Sequence, residues 1–340
     1  MLEKPSISDE IIAAALIEAY GLRPVELAFL PLGADLNTAA YRLVAADGGK
    51  AFFLKLRRGV FDPTSVVLPR WLFDQGIPQI IPPLPAASGQ LWAGLGDFTL
   101  ILYPFVEGRD GYAVALSDRQ WVVFGAALKK IHTAKVPPAL IQTVRRESYS
   151  PHGRQTVRQH LAQLGSRAFI DPLAVEMASF LRSKREQVLD LVARAEALAR
   201  ALQFGPPPFV LCHSDLHAGN VLVDSHDALY IVDWDDPILA PVERDLMYPG
   251  GAQGFTGHTP EQEEALFFQG YGPTRVDPRA LAYYRYERIV QDIAIFCEQI
   301  FQSGAGGEDR RQALQYLKSN FLPGNTIEIA CRSDRTQSMS

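Results

Sequence analysis

Cysteine is scarce: Cys212, Cys297 and Cys331 are three widely spaced residues in 340. That excludes a disulfide framework and fits a reducing compartment. No apolar stretch approaches the roughly 20 residues that a membrane-spanning helix needs. Met1-Leu2-Glu3-Lys4-Pro5 opens without the basic and apolar segments of a secretory signal. The expectation is a cytoplasmic protein with no membrane association. Positive charge is not in excess either: 33 basic against 38 acidic residues leave a formal charge of −5, which argues against nucleic acid as a partner. Glutamate is missing altogether between Lys55 and Glu107. What remains is a globular composition, 47% hydrophobic with near-average charge, in a chain long enough for two lobes with cores of their own. Composition says nothing of oligomeric state.

The chemistry concentrates in His213-Ser214-Asp215-Leu216-His217-Ala218-Gly219-Asn220 and, shortly after, Ile231-Val232-Asp233-Trp234-Asp235. Between them, Val221-Leu222-Val223 and Leu229-Tyr230-Ile231-Val232 are apolar runs separated by the polar turn Asp224-Ser225-His226-Asp227, so they should pair as an antiparallel hairpin. If Val221 lies opposite Ile231, Asn220 and Asp233 return to the same end of the ribbon with Cα atoms roughly 4.5–7 Å apart. An amide oxygen and a carboxylate then face one point. Such hard oxygen donors suit Mg²⁺, which is held by one or two protein groups together with substrate phosphates. Asp215 sits on the loop entering the hairpin, where its carboxylate can orient an attacking hydroxyl and accept its proton. An isolated Asp-x-x-x-x-Asn is a common turn pattern. Joined to the hairpin and the second aspartate, it meets three requirements of phosphoryl transfer at once.

Ser214 stands where protein kinases carry arginine, and Asp233-Trp234-Asp235 where they carry Asp-Phe-Gly. With these motifs the chain resembles the antibiotic (aminoglycoside) O-phosphotransferases, a protein-kinase-like family whose motifs read His-Gly-Asp-x-x-x-x-Asn and Ile-x-Asp-Trp-Asp. The likeness extends over nearly the whole chain, including residues 1–20 and the run Tyr284-Arg285-Tyr286-Glu287-Arg288-Ile289-Val290-Gln291-Asp292. It implies an α+β, two-lobed fold: an N-terminal nucleotide-binding lobe built on an antiparallel sheet, residues 1–105, and a larger, mainly helical C-terminal lobe, residues 106–340. It implies ATP and Mg²⁺ as cofactors and a hydroxyl of an aminocyclitol or aminoglycoside antibiotic as acceptor, with Asp215 catalytic and Asn220 and Asp233 on the metal.

The rest of the chain can be read against that frame. Residues 8–20 have the spacing of an amphipathic helix stopped at Gly21. Strands are expected over 25–32, 40–46 and 51–56. Lys55 alternates with Phe53 and Arg57 on one strand face and resembles the kinase lysine that pairs with the α- and β-phosphates. The loop bearing Gly33 and Asn37 has a single glycine and is a weak phosphate-loop signal; in the family a comparable reduced loop closes over the ATP phosphates. Kinases then place a glutamate on the next helix to hold the lysine. Here only Asp62, Asp74 and Asp97 are at hand, and Pro63 and Pro69 disturb the helix start. Residues 98–106 read as a strand leading to the change of lobe, where the backbone near Tyr103 and Phe105 would meet the adenine edge. In the C-terminal lobe Ser117-Asp118 caps a helix with Trp121, Phe124, Leu128 and Ile131 on one face. Helical patterns also cover 174–202, 260–269, 278–302 and 310–318, and 333–340 reads as a frayed polar tail.

An aminocyclitol acceptor carries amines that are cationic near neutral pH, so Asp236 and Asp292, with Glu243 and Glu298, are candidate acceptor-side acids. His213 is expected to brace the loop and His217 to be a satisfied loop histidine, while Arg244 and Asp245 should fasten their segment. Two other functions share part of the pattern. A small-metabolite kinase acting on choline, homoserine or a sugar would carry the same motifs. A metal-dependent hydrolase could use His213-x-Asp215-x-His217 as ligands, but His132, His152, His160, His226 and His258 form no second cluster, and Asn220 and Asp233 would go unexplained.

Overall fold

The computed structural model describes residues 2–33, 35–302 and 307–335. Helix α1 (Asp9–Tyr20) starts at Ser8, whose hydroxyl accepts from the Ile11 N–H, and stops at Gly21, whose φ of 66° lets the chain turn away. Its Ile12 and Leu16 are buried on a five-stranded antiparallel sheet. That sheet contains β1 (Pro24–Leu30), β2 (Thr38–Ala45), β3 (Ala51–Arg58), β4 (Ala93–Leu95) and β5 (Phe98–Pro104), in the order β1-β2-β3-β5-β4. Leu54, Leu56, Leu100 and Leu102 fill the face under α1.

After Pro104 the chain changes company. Strand β6 (Gly108–Asp110) joins β9 (Val221–Asp224) and β10 (Leu229–Ile231) in a separate three-stranded sheet, order β10-β9-β6. A second small sheet holds β7 (Arg145–Arg146), β8 (Phe209–Cys212) and β11 (Ile238–Pro241), order β7-β11-β8. Helices supply the remainder: α3 (Asp118–His132), α4 (Pro138–Ile141), α5 (His152–Gln163), α6 (Pro172–Ser183), α7 (Arg185–Phe204), α8 (Glu243–Leu246), α9 (Pro260–Tyr271), α10 (Pro278–Gln302), α11 (Gly307–Ser319) and α12 (Thr326–Arg335). This is the antiparallel-sheet region followed by a larger helical region that the resemblance implies. Among the described residues no helix is long and apolar enough to cross a membrane.

Helix α2 (Thr64–Asp74) departs from its position in the chain. Its buried Leu68 and Leu72, with Ile77 and Ile80 beyond, pack with Trp121, Phe124, Leu128 and Ile231 in the core of the helical region, and not with the leucines of the first sheet. The Ile231 N–H donates to Gln79 O at 2.7 Å, so this segment is stitched to the hairpin end that carries Asp233.

Two patterns differ from expectation. Residues 174–202 form two helices that meet at Lys184. Their buried positions, Met177, Ala178 and Leu181 and then Val188, Leu191 and Val192, stay in phase across the break, so periodicity alone reads one helix. The expected frayed tail begins as helix: Ser333 donates to Ile329 O at 2.9 Å, and Asp334 accepts from Arg194 Nη1 at 2.8 Å. Residues 336–340 of that tail lie outside the described residues.

Helix α9 carries a buried acid. Glu263 accepts from the Gly250 N–H at 3.0 Å, and burial pushes its carboxyl from the usual 4.5 up to about 7. A carboxyl raised on folding contributes stability that is full below its unfolded value and is lost as pH rises through the folded one. Glu263→Gln keeps an oxygen for Gly250. It should stabilise the protein by about 1–2 kcal/mol at pH 8 and change little at pH 4.5. Denaturant titrations at the two pH values check this, and equal effects at both would contradict it.

Candidate active site

Hairpin pairing sets Asp233 beside Asn220. Val221 lies opposite Ile231, Leu222 opposite Tyr230 and Val223 opposite Leu229, and the Val232 N–H continues the ladder to Asn220 O at 3.0 Å. The register is the one expected, with Asn220 and Asp233 at the same end of the ribbon. The Asn220 side chain is fixed by its Nδ2, which donates to Asp215 O at 2.8 Å and reaches Asp215 Oδ2 at 3.4 Å, so its oxygen is the end left for a ligand. Asp233 at φ 65° and Ser214 at φ 78° both hold left-handed backbone that non-glycine residues rarely adopt, one on each side of the site.

A buried carboxylate shapes the loop that carries Asp215. Asp245, at the start of α8, is fully buried and accepts from the His213 N–H at 2.8 Å, the Ser214 N–H at 2.7 Å and His132 Nε2 at 3.0 Å. His213 points its Nε2 at Val232 O, 2.9 Å away, and its Nδ1 takes the Asp215 N–H at 3.3 Å. A carbonyl can only accept, so Nε2 carries a proton. Edge-to-face packing on Trp234 at 4.5 Å completes its bracing part. Both nitrogens are spent, which removes His213 from any metal-ligand set. Among the described residues the one cluster of three or more His, Cys, Asp or Glu side chains with converging ligand atoms is His132, Cys212 and Asp245; it is buried, and its carboxylate already serves three donors. The hydrolase reading gains nothing.

Asp215 uses its two oxygens differently. Oδ1 accepts from Arg288 Nη1 at 2.6 Å and lies 3.3 Å from the Tyr248 hydroxyl, whose proton goes to Ser214 O at 2.6 Å. Oδ2 faces Asn220 and, at 3.6 Å, His217 Nε2. Burial favours the neutral acid, but the Arg288 guanidinium outweighs it and holds the carboxyl well below the usual range. His217 accepts from the Gly219 N–H at 3.0 Å, stacks on Tyr112, and is pushed below its usual pKa by burial.

Lys55 reaches this point from the first sheet. Its Nζ lies 2.6 Å from Asp233 Oδ1 and 2.6 Å from Asp235 Oδ1, and Arg57 Nη1 lies 3.0 Å from Asp235 Oδ2. Burial opposes the lysine's charge, yet the Asp233 and Asp235 carboxylates together outweigh it and raise its pKa. Burial alone would raise Asp233, but Lys55 holds it below the usual range; burial and the Asp233 charge push Asp235 up.

The acidic residues expected to anchor the lysine lie elsewhere. Asp62 caps Thr64 at 2.9 Å, Asp74 pairs with Arg70 at 2.9 Å, and Asp97 is exposed in the turn between β4 and β5. Asp235 stands in their place. Its signal in the sequence is its place two residues after Asp233, with Trp234 between them 5% exposed.

The remaining candidates lie around this centre. Gly33 has φ 77°, and Asn37 closes an Asx turn on Asp35 at 2.8 Å while its carbonyl accepts from the Arg58 N–H at 2.8 Å. Tyr103 lies opposite Phe53 on β5, and the Phe105 N–H donates to Ala51 O at 3.3 Å, so that donor is engaged within the sheet. Asp236 is 67% exposed, 3.6 Å from Arg145, and its carbonyl accepts from the Ser214 hydroxyl at 2.7 Å. Asp292 lies one turn along α10 from Arg288, 3.1 Å from Nε. Glu243 is buried against the Asp277 N–H at 2.6 Å, away from an open surface, and Glu298 is exposed.

The sequence profile described as the phosphotransferase enzyme family matches residues 30–284. The crystal structure of spectinomycin phosphotransferase, APH(9)-Ia, in complex with ADP and spectinomycin is 36% identical, over 97% of this chain and 99% of that one, with a TM-score of 0.89. Protein StrN of Streptomyces griseus is 26% identical over 231 residues, 64% of this chain and 67% of that protein. Choline kinase LicA of Streptococcus pneumoniae, 14% identical over 95% of this chain and 99% of that one with a TM-score of 0.56, shares the fold.

If Asp245 shapes the loop, Asp245→Asn should destabilise the protein by about 2–4 kcal/mol, because an amide group would face an N–H donor inside the core. Chemical denaturation reads the loss. Asp236→Asn, at an exposed position, is expected to leave the midpoint unchanged; equal midpoints for the two variants would contradict the clamp.

Proposed function

The chain belongs to the phosphotransferase enzyme family, and on that footing we propose that it transfers the γ-phosphoryl group of ATP to a hydroxyl of spectinomycin, conferring resistance to that antibiotic. The observation that carries this reading is the meeting of Asp215, Asn220, Asp233 and Lys55, drawn from separate segments, at one point. Identity of 36% over 97% of the chain to a spectinomycin-bound enzyme supports the acceptor.

Residues 1–105 form the nucleotide lobe and 106–340 the catalytic and acceptor lobe in this proposal. Gly33 and Asn37 lie over the phosphates, and the strand end at Tyr103 and Phe105 borders the adenine. Lys55 places the α- and β-phosphates, with Asp235 and Arg57 holding it in line. The donors fit Mg²⁺: the Asn220 nitrogen is tied to Asp215 O, presenting the amide oxygen, and the Asp233 carboxylate is 44% exposed beside it. Bound there, the ion would neutralise phosphate charge. Asp215 receives the acceptor hydroxyl, orients it toward the γ-phosphorus and takes its proton as the new P–O bond forms and ADP departs. A carboxylate held this far into its ionised form is a weak base, so most of the acceleration comes from positioning and charge complementarity. Asp236 and Asp292 are the proposed acids near the acceptor's amines. Asp236 is the freer of the two, because Arg288 already neutralises Asp292.

Coupled turnover with Mg²⁺-ATP against spectinomycin, streptomycin, kanamycin, choline and homoserine, with mass spectrometry of the products, tests the reading. Spectinomycin-dependent turnover adding one phosphate is expected, with loss on chelation of Mg²⁺. Asp215→Ala and Asp233→Ala should each lower kcat on the order of 10³-fold or more. Turnover with choline or homoserine alone would overturn the acceptor; near-normal turnover in Asp233→Ala would overturn the metal assignment.

A further inference from the structure

Helix α10 sends an arginine into the site. Arg288 projects Nη1 to Asp215 Oδ1 at 2.6 Å and to the Tyr248 hydroxyl at 3.3 Å, while its Nε sits 3.1 Å from Asp292 Oδ1, one helical turn on. Tyr248 in turn donates to Ser214 O at 2.6 Å and reaches Asp215 Oδ1. One carboxylate oxygen of Asp215 is therefore gripped by the charged Arg288 donor, and that grip is anchored to a 25-residue helix. The other oxygen, Oδ2, faces only the longer contacts of Asn220 at 3.4 Å and His217 at 3.6 Å.

We infer that Arg288, anchored by Asp292, is a positioning residue: it fixes the plane of the Asp215 carboxylate so that Oδ2 alone receives the acceptor hydroxyl. The inference rests on the proposed role of Asp215 and adds to it which oxygen acts and what aims it. A carboxylate is symmetric and can turn about its Cβ–Cγ bond. Without the guanidinium either oxygen could swing to the acceptor, and the hydroxyl would approach the phosphorus along a spread of directions. Misplacement of a reacting group by about 1 Å can cost on the order of 10²-fold in rate. Arginine suits the task because its fork spans Asp215 and Asp292 together, which the single ammonium of lysine cannot do.

The test is kcat and KM for Arg288→Met and Arg288→Lys, each alone and with Asp215→Asn, beside thermal midpoints. Arg288→Met should lower kcat on the order of 10–100-fold with the KM for ATP unchanged, and Arg288→Lys should fall between it and the unaltered enzyme. In the Asp215→Asn background Arg288→Met should cost nothing further, because both changes remove the same function. A wild-type kcat in either Arg288 variant, or a fully additive loss in the double variant, would overturn the inference. If Arg288→Met does not fold, Arg288→Lys keeps a charge over the buried carboxylates and carries the same readout. Failure of the underlying reading looks different: Asp215→Asn would itself turn over normally. An inactive Asp215→Asn beside a fully active Arg288→Met would remove only the positioning role.

Discussion

Everything at the site hangs from one buried carboxylate. Asp245 has no solvent to share its charge with, and an ion in that position is tolerated only when its oxygens are filled by good donors. His213 N–H, Ser214 N–H and His132 supply them, so the charge and the loop carrying Asp215 stabilise one another. Ser214 can then hold its left-handed backbone, and that turn presents Asp215 beside Asn220. Burial of Trp234 and its contact with the His213 ring carry the same constraint across to the Asp233 loop. Helix α8, which begins eight residues after Asp235, is the structural floor beneath both motifs.

Above that floor the charges alternate. Lys55 and Arg57 face Asp233 and Asp235 from the first sheet, and Arg288 faces Asp215 and Asp292 from α10. Each carboxylate is paired with a named cation, so little rearrangement of charge is needed within the protein during transfer. That suits a reaction in which most stabilisation comes from fixed dipoles and ions. It also explains why the chain dispenses with a glutamate on α2: that helix packs into the helical region through Leu68 and Leu72, and Asp235 anchors the lysine from the opposite direction.

Local patterns were legible in the sequence. The cap at Ser117, the stop at Gly21, the bounds of α10 and the hairpin register all follow from residues within a few positions of one another, and the pairing of Val221 with Ile231 brings Asn220 to Asp233 directly. What escaped depends on distance. Arg288 lies 73 residues from Asp215, and nothing in its own helix distinguishes it from a surface arginine except the partner it meets. The break at Lys184 leaves the apolar stripe in phase, and α12 is short and polar except where Ile327, Ile329 and Ala330 meet the helical core. Asp235 could have been read from its place two residues after Asp233, but only with Lys55 already placed opposite.

The most direct test of this account is a crystal structure with Mn²⁺ in place of Mg²⁺ and a non-hydrolysable ATP analogue, with anomalous data to locate the metal. The account predicts an anomalous peak coordinated by Asn220 Oδ1 and the Asp233 carboxylate, with Lys55 in reach of a phosphate oxygen. A metal bound instead by His213, Asp215 and His217, or a nucleotide whose phosphates lie away from Lys55, would contradict it.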